Sequence, residues 1–493
     1  MLEAIIEGLS SEESLGMDHS AIESRLFGDG FELLRQLYQA YLDLRAIREV
    51  PQPSVLGADG EERTHRRPTS RELESLFGGV RARRIAYGGR GISSLHPADA
   101  ALNLPPDLFS FGVRRRVAEE AARGAFDAVV EAIAATTGAS IGKRQAQELA
   151  AKAAVDFDDF YAQTTESDGV GGRKSFLVIS ADGKGIVTLH EDLREATQKA
   201  AEKTSRKLAK RLAPGEKLNR KRMATVAAVY TIGKFVRTPE DIVDDLRRQK
   251  KAEKRPRPKG KRVWASVEKA TEEVLRAAFA EAHGRDPEHK KTWVALVDGN
   301  ATQIQLLRKL AKEYQVELVI ILDLIHVIEY LWGAAHVFHK AGTQEAEAYV
   351  SERLLKILWG EAGYVAGGVR RSATNRGLDK AARKAVDDCA RYFLNHTDLM
   401  RYHEFLAAGM PVATGVIEGA CRHLIADRMD ITGARWSLEG AEAILRLRSL
   451  RSSGDFDEYW RFHEEQERER NHATLFAVPL TQPDAEDSAV LAG

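Results

Sequence analysis

Two short apolar runs in this chain stop on the same dipeptide, and that repetition limits the folds open to it. Phe176, Leu177, Val178 and Ile179 open the stretch SFLVISADGKGIVTL (residues 175–189), which runs on to Asp182 and Gly183. In TWVALVDGN (residues 292–300), five apolar residues run straight into Asp298 and Gly299. Apolar runs without a helical gap read as strands buried on both faces, as in a sheet covered by helices on each side. Gly183 and Gly185 suit a tight turn, with residues 186–189 returning as the partner strand of a hairpin. Each buried strand then delivers one carboxylate to a sheet edge. A third acid, Glu418, lies in PVATGVIEGACRHLIADRM, where Val416, Ile417, Ala420, Cys421, Leu424 and Ile425 recur at helical spacing. At about 100° per residue they cover half of the helical wheel, with Glu418 at its border. Such a helix can pack beside a sheet while its carboxylate reaches the edge.

The chain has room for several domains, with 493 residues of which 43% are hydrophobic and 30% charged. Its 73 basic and 73 acidic residues balance, so a polyanionic partner would have to be met by local patches. Basic residues concentrate at 199–222, including Arg220, Lys221 and Arg222, and at 247–262. These runs flank the apolar ATVAAVYTI (224–232), a further strand candidate, so they are expected to hang from the sheet that carries Asp182. A solvated loop is the ordinary alternative for such runs. Two cysteines, Cys389 and Cys421, exclude a disulfide framework and a thiolate zinc site and fit a reducing interior. No signal peptide is seen, and every apolar run is shorter than the roughly 20 residues a membrane helix needs. A cytoplasmic protein without membrane contact is expected.

Residues 1–168 read as a mainly helical, separable region. Residues 31–50 have helical spacing, prolines and glycines break the pattern over 51–69, and 78–94 suit a small hairpin. Over 124–154, Phe126, Val129, Val130 and Ile133 mark one helix. A turn with Gly138 follows, and a second helix starts near Lys143, capped by Ser140 or a neighbour. This is a helix-turn-helix layout with Lys143, Arg144 and Gln147 at the leading end of the second helix, the end from which recognition helices contact bases. An ordinary helical hairpin is the alternative.

In chain order the elements are strands near 176, 186 and 224, a helix over 265–282, a strand at 293, a helix over 302–314, a strand over 316–323, and the Glu418 helix. Three strands followed by alternating helix and strand is the ribonuclease H layout, a mixed α/β sheet with helices on both faces. On this reading residues 169–323 form the first part of the core and 410–478 supply its C-terminal helices. The helical spacing of 324–409 makes that segment an all-helical insertion, and the acidic, unpatterned 479–493 a disordered tail. Asp182, Asp298 and Glu418 then stand where this fold holds two divalent metals. Carboxylates are the hard ligands preferred by Mg2+ or Mn2+, and two ions can activate a nucleophile and stabilise a phosphodiester's leaving oxygen.

The motifs LVISADGKG, VALVDGN, IILDLIH and VIEGACRHLIADRMDITGARWS together resemble bacterial insertion-sequence DDE transposases of the ISKra group, similar in layout to Mutator-type transposases. ALNLPPDLFSFGVRRR also resembles their N-terminal region, so the likeness spans nearly the whole chain. The resemblance implies a catalytic triad of Asp182, Asp298 and Glu418, with Asp323 and His326 as the supporting Asp-x-x-His signature. It implies a homo-oligomer acting on double-stranded DNA in the bacterial nucleoid. That enzyme binds terminal inverted repeats, cleaves phosphodiesters and joins the 3′-hydroxyl end to target DNA. Relatives often carry an N-terminal cysteine zinc module, which this chain lacks. Arg428, Arg435 and Trp436 would face the phosphate backbone or a base; anchoring the C-terminal helix is their other reading. Asp-Gly is also a common turn pair, Glu418 could simply pair with Arg422, and His326 could be a hydrogen-bonded structural residue. His336 and His339 beside His326 hint weakly at zinc. The functional alternatives are a nuclease of the same fold without strand transfer and a transposase-derived regulator with a dead site.

Overall fold

The computed structural model describes residues 1–163, 175–203, 220–247, 255–413, 415–431 and 433–477. It divides into two compact units, Met1–Phe160 together with the chain from Gly454 onward, and Tyr161–Ser453.

The second unit is a mixed α/β body around one five-stranded sheet. Its strands are β1 (Ser175–Val187), β2 (Lys221–Gly233), β3 (Lys259–Ser266), β4 (Thr292–Val297) and β5 (Leu318–Leu322), in spatial order β5-β4-β1-β2-β3. β1, β2 and β3 pair antiparallel, while β4 and β5 run parallel to β1. Every residue from Ser175 to Ala181 is buried, so both faces of the central strand are covered. The helices Thr271–Arg285, Ala301–Glu313 and Leu438–Ser453 pack on the sheet.

Two features of this sheet depart from the sequence reading. Gly183 and Gly185 do not form a hairpin turn. β1 runs through them, paired continuously with β2 from Ser175 opposite Gly233 to Val187 opposite Lys221. The glycines make room for neighbours: a Cβ at Gly185 would stand 3.0 Å from Lys221 Cδ, and one at Gly183 3.3 Å from Met223 Cε. The third antiparallel strand is instead β3, where the reading placed a basic loop and then a helix from residue 265. Its apolar end, Val263, Trp264 and Ala265, is buried. Arg262 is carried into the interior because its guanidinium lies 3.4 Å from the Tyr161 ring centre and 4.6 Å from that of Trp264. It also pairs with Glu281, which Arg285 holds from the other side. These cation–π contacts and the paired carboxylate let a charged residue sit in a strand. Of the two basic runs, residues 204–219 and 248–254 lie outside the described residues.

From residue 324 to 409 the chain is helical throughout, as Leu324–Phe338, Gln344–Leu358, Ala362–Asn375, Lys384–Asn395, a 3-10 turn and Tyr402–Ala408. It returns to the sheet as Gly415–Ala420, a π-helical turn Cys421–Ala426, and Asp427–Met429.

The first unit is less helical than its sequence implies. Beside the helices it holds an antiparallel sheet of His65–Ser75, Gly78–Gly89 and Ile92–Leu95. The signal was present as alternation: Val80 and Ala82 point into the core, and Arg81 and Arg83 out of it. The hairpin expected over that stretch is formed by Gly78–Gly89 and Ile92–Leu95, whereas in the strand His65–Ser75 the run Arg66, Arg67, Pro68 breaks the period. Leu42 from the helix His19–Ile47 packs on this inner face with Leu73, Val80, Ala82 and Leu104. The helix Phe456–Asn471 also belongs to this unit rather than to the second, where residues 410–478 were expected. Its buried His463 donates through Nδ1 to Asp156 Oδ2 at 2.7 Å, and Arg470 grips both oxygens of Asp156 at 2.7 and 2.8 Å. Tyr459 donates to the Ala153 carbonyl at 2.7 Å. The boundary falls at residue 160, and the expected position 168 lies outside the described residues, as does the tail 479–493.

Candidate active site

Register places the acids before any side chain is considered. β1 and β4 pair with Ser180 opposite Leu296, so two residues further on Asp182 stands level with Asp298. β4 and β5 pair with Val297 opposite Leu322, so Asp323 stands level with Asp298 in turn. Three neighbouring parallel strands therefore carry a level row of three aspartates, roughly 4.8 Å apart from strand to strand; β4 and β5 stop just before theirs, whereas β1 runs on past Asp182 to Val187. The carboxyl ends of parallel strands are where open α/β sheets hold ligands.

The helix Gly415–Ala420 brings Glu418 to the same place. Asp182, Asp298, Asp323, His326 and Glu418 all line one cavity of about 820 Å3, together with Lys184, Arg422, His423 and Asp427. The helix is pinned there by Cys421, whose thiol donates to Asp182 Oδ2 at 3.3 Å. Burial, reinforced by the Asp182 charge, pushes the Cys421 thiol up and keeps its proton in place to donate. Asp182 Oδ1 accepts from the Gly183 amide at 2.6 Å. The π-helical turn after Ala420 is closed from outside by Arg448, which donates to the carbonyls of Leu424, at 3.0 Å, and His423. Such single π-turns recur at functional sites.

The turn bearing Asp298 is held by the helical segment. Tyr392 donates its hydroxyl to the Asp298 carbonyl at 2.7 Å, and burial holds that phenolic proton firmly. His396 Nε2 lies 3.0 Å from the Gly299 carbonyl. Gly299 has φ +94°, and a Cβ there would stand 2.8 Å from the Tyr392 ring, so both conformation and space require glycine. Tyr330 stacks on Tyr392 with ring centres 4.0 Å apart, and Tyr402 donates to the Leu322 carbonyl at 2.8 Å. The two strand ends carrying Asp298 and Asp323 are thus braced by hydroxyls from one helical lobe. Asp298 Oδ1 accepts from the Asn300 amide at 2.8 Å. Buried Asp323 caps the next helix through Ile325 N at 2.9 Å, and His326 sits on that helix's first turn, 3.2 Å from Glu329.

Tyr392 and Tyr402 escaped the sequence reading, and Cys421 counted only as an apolar position, because all three occupy buried places in amphipathic segments, where a hydroxyl or thiol leaves the spacing unchanged. His396, four residues after Tyr392, caps the end of the same helix.

The expected DNA-facing residues divide. Lys143, Arg144 and Gln147 are exposed at the start of the helix Lys143–Lys152, whose Ala146, Leu149 and Ala150 face inward against the helices Phe111–Arg123 and Phe126–Thr136. Lys143 pairs with Asp127 at 2.7 Å and Arg144 with Glu148 at 3.0 Å. The cap is Gly142, a near neighbour of Ser140 as expected, while the Ser140 amide donates to Glu74. Arg220 and Arg435 are exposed. Lys221 pairs with Asp430 at 2.9 Å, and Arg222 is spent on the carbonyls of Val267 and Asp192. Arg428 and Trp436 are buried, against the expectation that they face DNA: the guanidinium lies 4.8 Å from the indole centre, and burial pulls the Arg428 pKa down to about 10. Trp436 bonds to Val187 and Leu189 of the β1 end through its backbone, which makes the pair a packing anchor.

The donor set at the cavity is all-oxygen in its acids and suits a hard cation. Among the described residues no three acidic, histidine or cysteine side chains converge closely enough to hold a metal ion, and this includes His326, His336 and His339. Asp182 gives one oxygen to the Gly183 amide within β1 and the other to the Cys421 thiol, and Asp298 gives one oxygen to the Asn300 amide. Among the described residues no helix is long and apolar enough to cross a membrane. Neither the known protein-family models nor the curated proteins include a match to this chain.

Proposed function

We propose that the chain is a DNA transposase of the DDE type with a ribonuclease H-like core, related to the ISKra insertion-sequence group. The observation that carries the reading is the convergence of Asp182, Asp298 and Glu418, far apart in sequence and on three different elements, on one cavity at the carboxyl end of the parallel strands. The sheet order, with three antiparallel strands and then two parallel ones joined through helices, supports the fold assignment.

Asp182, Asp298 and Glu418 would hold Mg2+ or Mn2+ by drawing closer together than they stand in this cavity. When bound, such ions supply a nucleophile at neutral pH and stabilise charge on a phosphodiester. The protein's own groups set the geometry. Cys421 fixes one oxygen of Asp182, and Tyr392 and His396 fix the Asp298 turn. Lys184 and Arg422 at the cavity wall meet the phosphate backbone. Hydrolysis of a terminal phosphodiester leaves a 3′-hydroxyl at the element's end. That hydroxyl then attacks a target phosphodiester, forming the new bond as the target's own 3′-oxygen leaves. The exposed start of Lys143–Lys152, with Lys143, Arg144 and Gln147, reads the terminal repeats, and Arg220 and Arg435 add phosphate contacts.

The test uses full-length protein, Mg2+ and labelled duplexes carrying the DNA ends that flank the gene. Asp182→Ala, Asp298→Ala and Glu418→Ala should each lose cleavage and strand transfer while keeping end binding, because each removes a carboxylate and no DNA contact. Near-normal cleavage by any one variant removes that residue from the site. Cleavage without joining of a pre-cut end would make the protein a nuclease of the same fold.

A further inference from the structure

The helix His19–Ile47 is 29 residues long, about 43 Å, yet Leu42 is its only buried residue. Helices in proteins draw most of their stability from packing, so one this long is expected to cover an apolar face against something. Its contact with its own sheet uses one side: Leu42 packs there, Gln39 exchanges hydrogen bonds with the Arg81 backbone, and Arg83 pairs with Asp43.

A second face is apolar and open. Phe27, Leu34 and Tyr41 repeat every seven residues, and Leu37 and Leu44 repeat every seven between them, which makes them successive a and d positions of a heptad. They are exposed by 56, 43, 47, 60 and 44%, and Ile47, at a flanking position, by 81%. The d position before Leu37 is Gly30, where an added Cβ would meet nothing within 4 Å.

We propose that this face is the dimerisation seam of the chain, covered by the same helix of a second copy. The 3.5-residue repeat specifies a helix as the occupant, because only a helix crossing at about 20° follows such a stripe. The stripe offers no charge to a phosphate backbone, which excludes nucleic acid from it. Taking roughly 200 Å2 for a fully exposed side chain of this size, the six residues leave about 650 Å2 uncovered. Two copies would bury about 1,300 Å2, within the range of specific interfaces. A two-fold axis through the seam lets each copy be the other's partner, and Gly30 permits close approach at one end.

The experiment measures the mass of full-length protein by analytical ultracentrifugation from about 1 to 50 μM, a range that brackets a dimer of micromolar affinity. The wild type should be dimeric at the upper end. Leu34→Glu/Leu37→Glu and Leu34→Lys/Leu37→Lys should each be monomeric with unchanged circular dichroism, since these side chains are exposed. Mixing the two variants should restore a heterodimer, because opposite charges then meet across the seam in either helix orientation. A monomeric wild type at 50 μM overturns the proposal, as do variants that remain dimeric or a mixture that stays monomeric while both are folded. None of these outcomes depends on DNA cleavage, so they are independent of the transposase reading.

Discussion

Asp156→Asn tests how the C-terminal helix is tied to the first unit. Asp156 is 2% exposed and accepts from His463 and from both terminal nitrogens of Arg470. Burial alone would raise its pKa, but the Arg470 and His463 hydrogen bonds outweigh burial and pull it from 3.8 to about 2. That difference corresponds to about 2 kcal/mol of native-state stabilisation by the ionised form. The sign follows from a depressed carboxylate: the stabilisation is complete above the unfolded value of 3.8 and is lost as pH falls through about 2. The helix Phe456–Asn471 carries both partners, so its opening should report the loss. Hydrogen-exchange mass spectrometry, with rates corrected for intrinsic exchange, should show protection of this helix about 30-fold lower in Asp156→Asn at pH 7. Wild-type protection should fall by the same factor between about pH 4 and pH 2, and the variant should lack that increment. Protection within threefold of wild type at pH 7, or the same acid response in both proteins, would refute the argument that this network docks the helix.

Two further outcomes follow from contacts inside the second unit. Tyr392→Phe removes the hydroxyl that holds the Asp298 carbonyl and should lower the cleavage rate roughly tenfold, about 1.4 kcal/mol, with DNA affinity unchanged; an unaltered rate would show that the turn holds itself. Arg262→Leu removes a guanidinium stacked on two rings and paired with the largely covered Glu281, and should cost about 3 kcal/mol in urea unfolding. Arg285, still paired with Glu281, keeps the loss at the lower end of what a broken buried pair costs. A loss under about 1 kcal/mol would show that the stacking contributes little.

How far the sequence reaches is clearest at the acids. Unbroken apolar runs before Asp182 and Asp298 are a local signal, because a strand covered on both faces has no polar face to display, and both strands lie where those runs are. The helical period around Glu418 is local in the same sense, since one covered face imposes it. The fates of Gly183, Gly185 and Arg262 were not local. Glycine serves a turn or a crowded strand equally well, and only the approach of Lys221 and Met223 decides for the strand. A basic run looks solvated until Tyr161 and Glu281, on other elements, join the neighbouring Trp264 in supplying the partners that let Arg262 be buried. Tyr392 and Cys421 likewise carry no mark of their own, because each fits a buried position of an amphipathic segment as an apolar residue would. The level row of Asp182, Asp298 and Asp323 is a product of strand register, and register is set between strands by side chains packing across the sheet, which no single stretch of sequence contains.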